Sequence, residues 1–409
     1  MSLHTTWRWF DFAVRNTLRN RRRSLVTVSV AALGTAAILV AGGFALSTYE
    51  SLAQMSARLS GHLVLGQPAQ FEQDEDTPLQ HGLDDPVSLG QQLRADPDVR
   101  FVLPRITFNG LISNGDKSTV MIASGIDPDS EFAVKGPFLK VVAGDVLTSG
   151  TKESEVMLGE ALAKSLKAEP GSTLTMLAST TEGALNAIDV RVKGIFVTGT
   201  PEIDRRAVMT DIATAQRLLV TDRVSTLGVY LNRMTDTPGA QARLAAAFPK
   251  LAVQTWLDQA AMYKSVRALY NIIFGALGAI IGVIVVFVVA NAMAASIVER
   301  TREIGTLRTL GTLPSQLLRS LSLEGLVLGG CGALIGAAVA ASVSIFLYLV
   351  PVQMPPPPGR STGYPLVVSI DAGLYAAVAL AMVVLAMFAS AWIARRTVNR
   401  PLVAALAHT

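Results

Sequence analysis

Charge is the scarcest commodity in this chain. Asp, Glu, Lys and Arg make up 16% of its 409 residues, where soluble domains carry about a quarter. With 50% of residues hydrophobic, that deficit excludes an ordinary soluble fold. Cysteine occurs once, at Cys331, which excludes an intrachain disulfide framework and a cysteine metal cluster. The histidines, His4, His62, His81 and His408, have no metal-ligand spacing. No Gly-x-x-x-x-Gly-Lys-Ser/Thr loop offers amides and a lysine to nucleotide phosphates. The nearest approach, Gly110 and Gly115 before Asp116 and Lys117, is one residue out of pattern and reads as a hairpin turn. There is no serine nucleophile elbow. Asp74, Glu75 and Asp76 read as a solvated loop. The sequence therefore predicts no catalytic residue and no nucleotide or metal site in this chain.

What fills the space is apolar. Four stretches, 24–49, 268–298, 325–349 and 372–394, contain no Asp, Glu, Lys or Arg. Each exceeds the roughly 20 residues that cross a bilayer, and one charge mid-helix would cost at least about 2.5 kcal/mol. The prediction is an α-helical integral membrane protein with four transmembrane helices. The spans are placed at 24–49, 266–298 with a projecting stalk, 325–350 and 372–394. Arg8, Arg15, Arg19, Arg21, Arg22 and Arg23 precede the first; Arg300, Arg302, Arg308 and Arg319 follow the second; Arg395, Arg396 and Arg400 follow the fourth. The positive-inside rule puts both termini and the 299–324 loop in the cytoplasm. These cations read as topology, not as a nucleic-acid footprint. Trp7, Trp9, Phe10, Phe12, Val14 and Leu18 among the first arginines predict an amphipathic interfacial helix over 1–23. The first apolar run is too long for a cleaved signal peptide. The tail, 395–409, is cytoplasmic.

Residues 50–265 form a large mixed α/β (α+β) periplasmic domain inserted between helices 1 and 2. Strands are predicted over 99–108, 118–125, 173–177, 189–197, 206–209 and 226–231, and helices over 87–95, 159–166, 212–219 and 238–248, with turns at Asn114-Gly115 and Pro170-Gly171. A membrane-proximal subdomain is expected from about 50–128 plus 207–262, with a second, about 130–206, inserted in it. Between spans three and four, the periplasmic loop 351–371 carries four consecutive prolines after Met354, either a stiff extended element or a plain spacer. Gly278 with Gly282, and Gly332 with Gly336, have the four-residue spacing that lets membrane helices approach closely.

The charges concentrate in one place. Glu299, Arg300, Arg302, Glu303 and Arg308, with Gly305 and Gly311, lie between two membrane-length segments. That is a membrane-face loop on which something outside the lipid can grip. No charge-free stretch holds an ionisable group of the kind ion-coupled carriers use, so energy for any transport would come from a partner.

The run from Asn291 to Gly311, then Glu324-Gly325-Leu326 with Gly332 and Gly336, resembles the FtsX-like permease family, which includes MacB and the lipoprotein-releasing LolC and LolE subunits. Gly194 to Gly199 with Pro201-Glu-Ile-Asp204, and Val156 to Gly159, resemble its MacB- and LolC-type ectodomain. The resemblance implies mechanotransmission. A cytoplasmic ABC ATPase subunit of LolD or MacB type, binding ATP and Mg, presses on a coupling helix within 301–313, and the second span moves the ectodomain. Glu299, Arg300, Arg302, Glu303 and Arg308 become ATPase contacts, with Gly305 and Gly311 allowing the bends. It also implies a second permease subunit, as homo- or heterodimer, and a carrier or adaptor in the periplasm. The leading function is an ABC transporter permease of the bacterial inner membrane that releases lipoproteins or similar amphiphiles. MacB-like tripartite efflux of drugs or peptides, and signal transduction to a periplasmic enzyme, stand as alternatives.

Overall fold

The computed structural model describes residues 13–17, 19, 21–72, 75–135, 139–151, 153–355 and 363–398. Most of the expected interfacial helix, Asp74, three of the four consecutive prolines and the tail beyond 398 lie outside them.

Among the described residues four helices are long and apolar enough to cross a membrane. They run Arg21–Ser60, Ala261–Glu299, Pro314–Leu349 and Ala372–Val398. All four outrun the charge-free stretches that mark them. At 1.5 Å per residue the second is about 58 Å long, well beyond the hydrocarbon thickness of about 30 Å. The third departs furthest from the sequence reading. A loop is predicted over 299–324, yet the third helix begins at Pro314. Proline suits the first helical position because its missing N–H would have no helical partner there. The Gln316 side chain then accepts from the Leu313 amide at 3.1 Å. What remains between the second and third helices is Arg300, a short helix Thr301–Thr309 and a turn at 310–313.

The membrane helices pack through small residues. Val285, Val289, Met293 and Ile297 of the second helix share a core with Leu321, Leu328 and Ala333 of the third and Met382, Ala386 and Ala389 of the fourth. A Cβ at Gly332 would lie 2.5 Å from Ala31 Cβ, and one at Gly336 2.5 Å from Thr35 Cβ, so these two glycines seat the third helix on the first. Gly325 and Gly329 do the same against Ser390 and Ala386 of the fourth. The second glycine pair behaves differently. Gly282 reaches only Leu385, and no atom lies within 4 Å of a Cβ at Gly278.

The domain between the first and second helices is built on a ten-stranded mixed sheet. Its strands are β1 Leu63–Gly66, β2 Val99–Ser113, β3 Ser118–Ile126, β4 Lys140–Gly144, β5 Glu155–Gly159, β6 Thr173–Ser179, β7 Leu185–Val197, β8 Ala207–Asp211, β9 Thr226–Leu231 and β10 Ala252–Thr255. The order is β10-β1-β9-β2-β3-β8-β5-β7-β4, with β6 against β2 and β7. β3/β8 and β5/β7 are parallel. β2 is longer than its predicted 99–108 because the Asn114 turn closes a full hairpin: Asn114 Oδ1 accepts from Lys117 N at 2.8 Å and Gly115 takes φ +93°. The two expected subdomains do not separate into two sheets. β8 joins β3 to β5, and one core holds Leu63, Ile106 and Val229 together with Val156, Leu162 and Met176. Alternation along β6 and β7, with Val156 and Leu158 of the fully buried β5, provides apolar residues for the same interior as β1, β2 and β9, so the inserted segment extends that core.

Compact units divide at Glu50/Ser51 in the first helix and at Lys264/Ser265 in the second. The loop flanks at Val352 and Leu366 are joined by Leu366 N donating to Val352 O at 2.8 Å.

Candidate functional site

Glu299 is the last residue of the second long helix, and Arg300 breaks it with φ −106° and ψ 15°. The short helix Thr301–Thr309 follows at once. A single-residue break leaves charged side chains on both sides close to one another, and they form a separate pair, Arg23 with Glu299, and a lattice of Arg19, Glu303, Arg300 and Glu324. Arg23 Nη1 donates to Glu299 Oε2 at 3.1 Å, with a second bond from Nη2 to Oε1. Arg19 Nη2 meets Glu303 Oε1 at 2.7 Å. Arg300 Nε donates to Glu303 Oε2 at 3.1 Å, and Arg300 Nη1 lies 3.6 Å from Glu324 Oε2 on the third helix. Arg19 and Arg23 are four apart in sequence, as are Glu299 and Glu303, and the two spacings match so that each arginine meets one glutamate.

The lattice sorts the predicted residues. Arg300 and Glu303 join in it, Glu299 pairs with Arg23 beside it, and Arg302 is exposed. Arg308 lies in that helix's last turn, where a cation favours the helix dipole. Gly305 is buried in the helix interior and makes no bend; the bends fall at Arg300 and after Thr309. Gly311, at φ +94°, supplies the second. Leu310 and Leu313 on that turn are 79% and 58% exposed, an apolar tip beside charged residues. The sequence reading assigned Arg19 and Arg23 to topology alone. Their four-residue spacing, matched by Glu299 and Glu303, is the signal that could have paired them.

Arg19 first, and Arg300 with it, hold the Glu303 carboxyl below the usual carboxylate range. A lowered value in the folded chain means the contact stabilises at neutral pH and is lost only as pH falls through that lowered value. We expect Glu303 to be more than half ionised at about pH 4.3, the ordinary glutamate midpoint. In the Arg19→Gln variant its titration should move up toward that midpoint. Carbon-13 chemical shifts of the labelled carboxyl check both; an identical titration in the two proteins would remove Arg19 from the lattice. Among the described residues no group of three or more His, Cys, Asp or Glu could hold a metal.

Residues 24–247 match the MacB-like periplasmic core domain, and residues 273–402 match the FtsX-like permease C-terminal domain. Among curated proteins, the chain is 24% identical over 272 residues to the lipoprotein-releasing system transmembrane protein LolE of Haemophilus influenzae, covering 64% of each. It is 25% identical over 248 residues to LolC of Xylella fastidiosa, covering 59% of this chain and 60% of the relative. The chain thus spans less than two thirds of the length of either. Among solved structures, the periplasmic region of MacB from Actinobacillus actinomycetemcomitans aligns with 49% of this chain at 15% identity and a TM-score of 0.35, covering 92% of that region. The extracellular domain of the transporter YknZ from Gram-positive bacteria aligns with 47% at a TM-score of 0.34 and 15% identity, covering 99% of that domain.

Proposed function

The chain belongs to the FtsX-like permeases that carry a MacB-like periplasmic core domain, and on that premise we propose that it is the membrane subunit of an ATP-driven transporter releasing lipoproteins, or amphiphiles of similar build, from the bacterial inner membrane. ATP and Mg are bound and used by a separate cytoplasmic ATPase of LolD or MacB type, and a second permease subunit completes the membrane part. Both termini and the short helix Thr301–Thr309 face the cytoplasm. The arginine distribution supports that orientation.

One observation carries the mechanism. The short helix is fixed by Glu299, Arg300 and Glu303, tied to Arg23, Glu324 and Arg19. It presents Arg302 and leads to the exposed Leu310 and Leu313. A short amphipathic helix presented in this way offers a partner charged and apolar contacts. A push on it moves Arg300 and Glu299, hence the second helix, while the ion pairs draw the first and third along. The substrate class rests on the relatives, which are lipoprotein-releasing proteins by name.

Affinity purification of the tagged chain in mild detergent should recover one ATPase subunit and acylated protein. Recovery of an efflux adaptor in place of lipoprotein would move the reading to tripartite efflux, and recovery of no ATPase would overturn it.

A further inference from the structure

The last carbonyls of a helix have no partner within it. Where the first long helix ends at Ser60, two of them are taken by side chains of the sheet. The Tyr230 hydroxyl, on β9, donates to Arg58 O at 2.8 Å, and Arg105 Nη1, on β2, donates to Leu59 O. Arg105 is itself aimed. Its Nη2 lies 3.0 Å and 3.3 Å from the two oxygens of Glu131, its Nε 3.4 Å from one of them, and Nη2 also donates to the Tyr230 oxygen. Glu131 sits on the helix Pro128–Lys135 with its side chain 1% exposed, against 13% for Arg105. Burial pushes the Tyr230 phenol up, so it keeps the proton it donates.

Stability alone does not call for this arrangement. A buried ion pair is often no better than apolar side chains of the same volume. What the charge adds is direction: a rigid guanidinium fork at the negative end of a helix dipole, holding the helix end to two central strands at once. The covalent link supplies no such stiffness, because the helix gives way directly to Gly61 at φ +107°. The fit on both sides of that hinge is close. A Cβ at Gly228 of β9 would lie 2.8 Å from Ser60 O, before the hinge, and His62 Nδ1, after it, accepts from Leu231 N at 2.8 Å.

We propose that Arg105, positioned by Glu131 and Tyr230, is the joint through which the first long helix grips the periplasmic sheet, so that displacement of the helix reaches β2 and β9 and is not dissipated at Gly61. It is a positioning residue. Its role in transport rests on the transporter reading above; its role as a mechanical joint does not.

The test uses the full chain with its co-purified ATPase in proteoliposomes carrying a fluorescent acylated lipopeptide. Arg105→Met with Glu131→Leu removes both charges together and strands neither. Tyr230→Phe removes one hydroxyl. Arg243→Ala, which deletes a surface pair with Asp96 and Asp98, is the control. Amide exchange over 58–66 should rise at least about tenfold in the double variant and less in Tyr230→Phe. Lipopeptide released per ATP should fall about fivefold or more, with the melting temperature and ATP hydrolysis close to wild type. Unchanged exchange in the folded double variant overturns the joint. A parallel fall in melting temperature, hydrolysis and release also overturns it, in favour of a purely structural pair. If the wild-type chain brings down no ATPase, the transporter reading fails and the exchange measurement still decides the joint.

Discussion

Glu303→Lys should insert into the membrane at wild-type levels and lose most of its ATP-coupled release. None of the four charge-free stretches contains residue 303, so insertion has no reason to change. The local electrostatics invert. The carboxylate that meets Arg19 at 2.7 Å and Arg300 at 3.1 Å is replaced by a third cation. Each contact is worth about 1 kcal/mol in water-like surroundings and more where water is partly excluded. With Arg19 at 60% exposure and Glu303 at 49%, solvent screening reduces each to about 0.5–0.7 kcal/mol. Losing two attractions and gaining two repulsions then shifts the short helix's position by on the order of 2–3 kcal/mol, equivalent to about a 30- to 150-fold change in occupancy. Release per ATP should fall at least about tenfold. Adding Arg19→Glu restores one pair and should recover part of the loss, while Arg300 still repels; that partial recovery is the mark of a direct contact. Normal release in Glu303→Lys would remove the lattice from the mechanism.

The division between what the sequence made legible and what it hid is physical. Local signals landed well. The helix Ile212–Leu219 and the strand Thr226–Leu231 occupy the residues read from pattern alone. In the first case Asp211 caps the helix by accepting from Thr214 N at 2.8 Å, a contact three residues long. The apolar spans were legible because lipid tolerates few charges. Sheet order was not. That β8 runs parallel to β3 and antiparallel to β5, knitting two expected subdomains into one sheet, depends on partners far apart in the chain. Periodicity says which face of a strand is buried and nothing about its neighbour. The site shows the same split. Its charges stood out because they interrupt apolar sequence, but Arg19 meets Glu303 across 284 residues, and only the packed helices bring that pair together. Gly305 misled for a related reason: glycine in a loop-like stretch reads as a bend, yet here it is buried within a helical turn.

Glycine packing yields the other large effect, and it separates positions that look alike in sequence. Gly336→Leu should destabilise the membrane part strongly, whereas Gly278→Leu should leave its melting temperature unchanged. Between membrane helices there is little hydrophobic driving force, since lipid chains are as apolar as leucine, so close backbone approach carries much of the association. At Gly336 that approach is already complete. A Cβ would stand 2.5 Å from both Ala32 O and Thr35 Cβ, and the first of these is backbone that cannot rotate away. Thr35 is itself fixed, its side chain fully buried and its hydroxyl donating to Ala31 O at 2.8 Å. A leucine there must push the first and third helices apart, which also loosens Gly332 one turn away on Ala31. Overpacking of this kind costs about 1–3 kcal/mol when neighbours can adjust, and the upper end or more is expected where they cannot. At Gly278 an added Cβ meets nothing within 4 Å, so the side chain starts in open space. Thermal unfolding of both variants in one detergent reads the contrast directly. Equal stability of the two would mean that the third helix does not sit on the first through Gly332 and Gly336.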